Sequence, residues 1–196
     1  MPPESLRLFI AIELPADVYD ALSTLQKQLQ AADRARAIRW SAIGGIHLTL
    51  KFLGDVPADR VPAIETALHE AAAGHAPFDL NVGGAGCFPH TRKPRVVWAG
   101  ADGNLDALHA LRDAVERTVS PLGYPTEARP FSPHLTLGRA RQEASRDALA
   151  AIGKRVDEVK QGELARWHVA EISLMRSDLK PSGAVYTQVA RVVLDG

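Results

Sequence analysis

The sequence has almost no cysteine: Cys87 is the only one among 196 residues. A single thiol excludes an intramolecular disulfide and a cysteine-rich zinc site. This usage suits the reducing cytoplasm, where we expect the protein to act. The first five residues lack the charged leader and apolar stretch of a secretory signal. The apolar segment 6–14 contains Arg7 and Glu13 and is too short to cross a membrane, so no membrane association is expected.

An excess of charge of either sign is also absent, because 23 Lys and Arg residues balance 23 Asp and Glu residues. Proteins that hold long nucleic acids through many phosphates are usually basic. A nucleic-acid substrate is therefore expected to be small or to be bound at one end. The hydrophobic content of 46% is ordinary for a globular protein, and the length allows a sizeable core. With no linker visible, we expect a single domain over residues 1–196.

Several catalytic signatures are missing as well. The chain has no Gly-x-Ser-x-Gly nucleophile elbow, which disfavours a Ser–His–Asp hydrolase. It has no Gly-x-x-x-x-Gly-Lys phosphate loop, so binding of nucleoside triphosphates is not implied. The metalloprotease signature His-Glu-x-x-His does not occur either.

The chain does contain a repeated motif, because His-Leu-Thr-Leu occurs at residues 47–50 and again at residues 134–137. Random placement at this composition gives only about 0.3 occurrences of His-x-Thr. Side chains alternate between the faces of a β-strand, so His47 and Thr49 share one face, and His134 and Thr136 share another. The same alternation predicts Lys51 on the face of His47. Phe52 is expected on the opposite face.

Two imidazoles that face one cleft can divide acid–base chemistry between them, because histidine titrates near neutral pH. One imidazole can take a proton from water while the other protonates a leaving alkoxide. Threonine hydroxyls two residues along can donate hydrogen bonds to phosphate oxygens. Hydrolytic zinc sites usually add a third protein ligand, and neither motif contains a carboxylate. We therefore expect no metal and no other cofactor.

Strands and helices alternate irregularly along the chain, which favours an α+β fold over a doubly wound parallel sheet. The simplest architecture has two similar lobes, each contributing one His-x-Thr strand to a central cleft. Glycines in the strand 78–88 allow close approach of other groups to the backbone. Gly54 and Asp55 are expected to end the first His-x-Thr strand. The other predicted strands are 6–14, 38–40, 95–100, 164–174 and 185–194, with a hairpin at Pro181 and Gly183; helices are predicted over 17–32, 61–73, 105–119 and 144–156.

The doubled motif resembles the 2H phosphoesterase superfamily. Within it, the chain is similar to the bacterial and archaeal RNA 2′,3′-cyclic phosphodiesterases, first known as 2′-5′ RNA ligases. Segments 7–12, 39–40, 47–54, 94–100 and 129–139 carry the resemblance. It implies a bilobal fold with pseudo-twofold symmetry, in which antiparallel sheets with outer helices flank a metal-independent cleft. It also implies opening of a terminal RNA 2′,3′-cyclic phosphate to a 2′-phosphomonoester.

By this resemblance, His47 is the general acid that protonates the 3′-oxygen leaving group. His134 is the general base that activates water, and Thr49 and Thr136 hold the phosphate. Arg139 matches a phosphate-binding position of the family. The histidine roles come from the family, because the sequence alone does not distinguish acid from base.

Two further expectations concern residues near these motifs. Strict alternation places Arg139 opposite His134, so the chain must turn or bulge after Gly138 to bring the guanidinium inward. Phe9 is a candidate platform on which a terminal base stacks.

Three functions remain open at this point. The first is hydrolysis of RNA 2′,3′-cyclic ends, with tRNA fragments or small cyclic nucleotides as substrates and the protein acting as a monomer. The second is 2′-5′ RNA ligation, the reverse reaction, with the same two histidines. The third is a non-catalytic module that binds RNA or nucleotides, which would not need a paired acid and base.

Overall fold

A computed structural model describes residues 4–159, 162–180 and 183–196. The strands in these ranges are β1 (Ser5–Ile12), β2 (Ile38–Trp40), β3 (Leu48–Pro57), β4 (Phe78–Phe88), β5 (Val96–Gly103), β6 (His134–Ala140), β7 (Glu163–Val169), β8 (Glu171–Lys180) and β9 (Gly183–Val193). The α-helices are α1 (Ala16–Gln30), α2 (Val61–Ala72), α3 (Leu105–Val119) and α4 (Arg146–Glu158). Residues 1–3 and Pro181, for which the sequence made predictions, lie outside the described residues.

The strands form two antiparallel sheets. The first sheet has the order β3-β1-β8-β9, and the second has the order β2-β6-β5-β4-β7. The first His-x-Thr strand, β3, is therefore an edge strand, whereas the second, β6, lies between β2 and β5. Two antiparallel sheets with helices confirm the expected α+β class.

The helices are exchanged between the two sheets. Helix α2 contacts β8 and β9, and α3 contacts β3, so both pack on the first sheet. Helices α1 and α4 contact β7 and β4 of the second sheet. Because α1 follows β1 and α3 follows β5, each of these two helices packs on the sheet that its preceding strand does not belong to. The two lobes are thus interleaved.

The helices form where the sequence supplies an apolar stripe and a capping residue. Val18, Leu22 and Leu29 of α1 are buried at helical spacing. Asn104 begins α3 by accepting a hydrogen bond from the Ala107 amide at 3.1 Å, and Ser145 begins α4 in the same way. None of the helices in the described ranges combines the length and the apolar character needed to cross a bilayer.

Two predicted strand boundaries are wrong. The single strand expected over 164–174 is divided at Ala170 into β7 and β8, which belong to different sheets. The first His-x-Thr strand does not end at Gly54 but continues to Pro57, because β1 pairs with it as far as Ser5. Gly54, with φ +75°, lies at a bulge within this strand, where glycine adopts a positive φ without strain. Periodicity alone registers neither a change of sheet nor a bulge.

Candidate active site

Both His-x-Thr strands carry a β-bulge at the same position. In β3, Lys51 pairs with Ile10 and Thr49 pairs with Ala11, which leaves Leu50 as the extra residue. In β6, Gly138 pairs with Val97 and Thr136 pairs with Trp98, which leaves Leu137 as the extra residue. A bulge inverts the alternation of side chains beyond it. The residues that follow each motif therefore lie on the faces opposite to those that strict alternation predicts.

The bulge at Leu50 overturns the predicted placement of Lys51 and Phe52. Lys51 was expected beside His47, but it is 5% exposed and lies on the core face with its amine against Glu116. Phe52 was expected on the core face, yet it is 68% exposed. The extra residue shifts both by one position, so Phe52 and Thr49 lie on the same face.

The bulge at Leu137 brings Arg139 to the face of Thr136. Arg139 pairs with Val96 and Thr136 pairs with Trp98, and these two β5 residues share a face by alternation. Arg139 is exposed there. The expected bulge exists, but it lies at Leu137 and not after Gly138.

The imidazole of His47 is held by one hydrogen bond and two aromatic rings. Its Nδ1 lies 2.9 Å from the carbonyl oxygen of Gly45, and because that oxygen only accepts, Nδ1 carries the hydrogen. The ring stacks on Phe9 with centroids 4.5 Å apart, and Tyr186 packs edge-on at 5.0 Å. These contacts orient Nε2 as the atom available for proton transfer.

His134 is held in a parallel way. Its Nδ1 donates to the carbonyl oxygen of Ser132 at 2.7 Å, and Phe88 packs edge-on at 4.9 Å between centroids. In each motif the accepting carbonyl thus lies two residues before the histidine. Both imidazoles therefore adopt the same tautomer when neutral, with an unprotonated Nε2.

Neighbouring charges act on the two imidazoles in opposite directions. Burial lowers the pKa of both His47 and His134 below the ordinary value, and the backbone hydrogen bonds partly offset this. The carboxylate of Glu13 additionally raises the pKa of His47. The guanidinium of Arg139 further lowers the pKa of His134. The protein thus favours the protonated form at His47 relative to His134.

Thr49 and Thr136 lie one step along each strand from the histidines. Both are partly exposed, and neither hydroxyl has a hydrogen-bond partner among the residues that the structure describes. Strands β3 and β6 contact each other, so the structure brings the two motifs together from different sheets. The two hydroxyls are free to donate to a bound anion.

The expected stacking role of Phe9 is wrong, because the ring is 2% exposed and packed against His47. No face of the ring remains for a nucleobase. Sequence reasoning also missed Tyr186, Phe88 and Glu13, which contact or influence the histidines. The available signal was Gly45: a Cβ there would lie 3.2 Å from the Tyr186 ring, so glycine permits the edge contact with His47.

A buried ion pair connects the first motif to the loop before the second. Lys51 Nζ binds Glu116 of α3 and donates to the carbonyl oxygen of Pro125 at 2.8 Å. Arg112 lies 3.0 Å from the other Glu116 oxygen and 5.6 Å from the ring centroid of Phe131. The segment that leads to His134 is thereby anchored to α3.

Within residues 4–159, 162–180 and 183–196, no three His, Cys, Asp or Glu side chains come close enough together to hold a metal ion. The chemistry that this site offers therefore rests on imidazoles, hydroxyls and a guanidinium.

Two interleaved lobes that each present one His-x-Thr strand define a two-histidine phosphoesterase fold. The family profile of the 2′-5′ RNA ligase superfamily matches residues 18–181, and the chain belongs to this family. The resemblance inferred from the doubled motif is thereby confirmed.

Relatives match over nearly the whole chain. The RNA 2′,3′-cyclic phosphodiesterase of Methanothermobacter thermautotrophicus is 34% identical over 184 residues, which is 94% of this chain and 96% of the relative. The enzyme of the same name from Thermus thermophilus is 34% identical and covers 97% of this chain and 91% of the relative.

Solved structures agree with the fold. TT0787 of Thermus thermophilus superposes with a TM-score of 0.78 at 32% identity, over 96% of this chain and 98% of that one. Escherichia coli LigT complexed with 3′-AMP superposes with a TM-score of 0.75 at 27% identity, over 98% of this chain and 100% of that one. These likenesses confirm the bilobal α+β architecture.

Proposed function

We propose that this protein hydrolyses RNA 2′,3′-cyclic phosphate ends to 2′-phosphomonoesters without a metal ion. The observation that carries the proposal is the pair of imidazoles with fixed Nδ1 atoms and opposite neighbouring charges. An acid and a base at one phosphodiester must differ in protonation state, and charges of opposite sign favour that difference.

The assignment of roles follows from the charges. Glu13 favours the imidazolium at His47, which suits the general acid that protonates the departing 3′-oxygen. Arg139 favours neutral imidazole at His134, which suits the base that takes a proton from the attacking water. Water adds to phosphorus, the P–O3′ bond breaks, and the 2′-phosphate and 3′-hydroxyl are formed.

The remaining groups suit the phosphate. Thr49 and Thr136 have hydroxyls without a partner in the described part of the chain, and Arg139 is an exposed cation on the face of Thr136. Donors placed around the non-bridging oxygens stabilise charge that develops in the transition state. The names of the relatives specify RNA as the substrate class.

The test is hydrolysis of a short RNA that ends in 2′,3′-cyclic phosphate, carried out in EDTA. His47→Ala and His134→Ala are each expected to lower kcat by about 10²- to 10⁴-fold, the usual contribution of a general acid or base. His168→Ala is the matched control, since His168 is exposed on β7 and paired with Asp79. Wild type that is inactive in EDTA, or retains only metal-dependent activity, would contradict the proposal.

The family name makes 2′-5′ ligation the second candidate. Addition of an RNA fragment with a 5′-hydroxyl to the same assay separates the two reactions. We expect the 2′-phosphate to exceed the ligated product, because water competes with the hydroxyl. If neither product forms but the RNA still binds, the protein is a binding module.

A further inference from the structure

Two arginines lie directly opposite each other beside the second motif. Arg39 of β2 pairs with Arg139 of β6 in the antiparallel register. Opposed residues of such a pair project from the same face with Cβ atoms about 5 Å apart, and like charges there are destabilising. No carboxylate forms an ion pair with either guanidinium in the described part of the chain. This arrangement calls for an anion.

The same face extends from the candidate catalytic residues to the edge of the sheet. The Arg141 amide donates to the carbonyl oxygen of Ala37, which continues the β2–β6 pairing by one step beyond Ile38 and Ala140. Arg141 is two residues after Arg139, so it projects from the same face. His134, Thr136, Arg139 and Arg141 therefore follow one line along the second sheet, with Arg39 beside it.

A cavity of about 370 Å³ lies at the β2 end of this line. Its walls include Arg36, Arg39 and Arg141, together with Gln30 and Trp40. Three guanidinium groups in one cavity can bind phosphate oxygens through paired N–H donors. The cavity is separate from the two histidines but contains the arginine that faces Arg139.

One acidic residue, Asp33, also lines the cavity, but its carboxylate is already engaged. Asp33 accepts hydrogen bonds from the amides of Ala37 and Ile38 at 2.7 and 3.1 Å, and from the indole of Trp40 at 2.9 Å. These bonds use both oxygens of the carboxylate. Asp33 thus shapes the turn and leaves the three arginines without an ion-pair partner.

Arg36 supports a functional explanation of this turn. It has φ +52°, and it is the sole non-glycine residue with positive φ in the described ranges. A glycine would adopt this conformation without strain, whereas a longer side chain costs free energy. The guanidinium that this backbone places at the cavity offers a reason for arginine at this position.

We propose that the cavity of Arg36, Arg39 and Arg141 binds the phosphodiester that precedes the reacting phosphate in RNA. This inference rests on the proposed function, which places the reacting cyclic phosphate at Arg139. The enzyme then recognises two successive phosphates and prefers an oligonucleotide end to an isolated nucleoside 2′,3′-cyclic phosphate.

The first test compares kcat/KM for a dinucleotide that ends in 2′,3′-cyclic phosphate with kcat/KM for the corresponding nucleoside 2′,3′-cyclic phosphate. Wild type is expected to prefer the dinucleotide by about tenfold, the value of one or two charge-assisted contacts. In Arg39→Gln/Arg141→Gln this ratio is expected to fall to near one. Arg117→Gln is the matched control, because Arg117 is an exposed arginine on α3, which packs on the other sheet. Equal ratios in wild type and the double variant would overturn the proposal.

The second test needs no turnover. Binding of a fluorescent tetranucleotide with a 3′-phosphate is measured by anisotropy across a salt series. Each lost phosphate contact on a single strand lowers the slope of log K against log salt by about 0.7. The double variant is expected to show this loss, whereas Arg117→Gln keeps the wild-type slope. If wild type does not hydrolyse RNA but the slope still depends on Arg39 and Arg141, the phosphate site stands and the proposed function fails. An unchanged slope and affinity overturn the site.

Discussion

The two His-x-Thr strands share a backbone plan but differ in the residues that follow their bulges. In the first strand the residue that turns outward is Phe52, and in the second it is Arg139. The residue that turns inward is Lys51 in the first strand and Gly138 in the second. One half of the candidate site is therefore aromatic, and the other is cationic.

The position of each strand in its sheet explains the difference at the inward residue. Strand β3 is an edge strand, so Lys51 can reach α3 and pair with Glu116. Strand β6 is covered by β2, and a Cβ at Gly138 would lie 2.5 Å from Ile38 Cγ2. Glycine at 138 leaves the space in which β2 pairs, and β2 in turn supplies Arg39.

The outward residues make the halves electrostatically unequal. Arg139 lowers the pKa of His134, and its counterpart Phe52 has no charge with which to act on His47. Glu13, which follows β1, instead raises the pKa of His47. A duplicated motif can thus supply different acid and base strengths without any change in the histidine or threonine.

The largest expected effect comes from Lys51→Met, which removes the inward charge of the first half. Glu116 would then be buried against only Arg112, and loss of one partner of a buried ion pair typically costs about 3 kcal/mol or more. Urea unfolding should show this loss of stability. Lys154→Met is the control, since its pair with Glu158 is exposed and should contribute less than about 1 kcal/mol. Equal losses in both variants would show that the buried pair is not stabilising.

The next effect concerns the outward residues. Arg139→Gln is expected to lower kcat/KM by about 10- to 100-fold, because a charge-assisted contact to phosphate is lost. Phe52→Gln at the corresponding position removes neither a charge nor a hydrogen-bond donor, so a much smaller change is expected. Steady-state kinetics on RNA with a 2′,3′-cyclic end make the comparison. A larger loss in Phe52→Gln would mean that the aromatic half, and not the cationic half, binds the phosphate.

The smallest expected effect is a shift of the pH profile. The maximum of kcat/KM lies midway between the pKa values of acid and base. Removal of the Glu13 charge in Glu13→Gln lowers the pKa of His47, so the maximum moves to lower pH. Removal of the Arg139 charge raises the pKa of His134, so the maximum moves to higher pH in Arg139→Gln. Shifts in the same direction would contradict the opposed roles of these two charges.

The amino-acid sequence is sufficient to predict the chemistry-bearing residues and the class of fold. Two copies of His-x-Thr identify His47 and His134 as a pair displayed on strand faces, because alternation in a strand depends only on local backbone geometry. The helices 105–119 and 17–32 follow from their apolar periodicity for the same reason. The need for a bulge near Arg139 is also visible in the sequence, although its position is not.

The groups that surround the two imidazoles depend instead on the tertiary structure. The bulges at Leu50 and Leu137 arise from the register with β1 and β5, and they reverse the predicted faces of Lys51 and Phe52. Phe9 was expected to be open to a base and is instead buried beneath His47. Tyr186 reaches the first histidine from a strand 139 residues further along the chain. Such contacts come from long-range packing, which local periodicity does not encode.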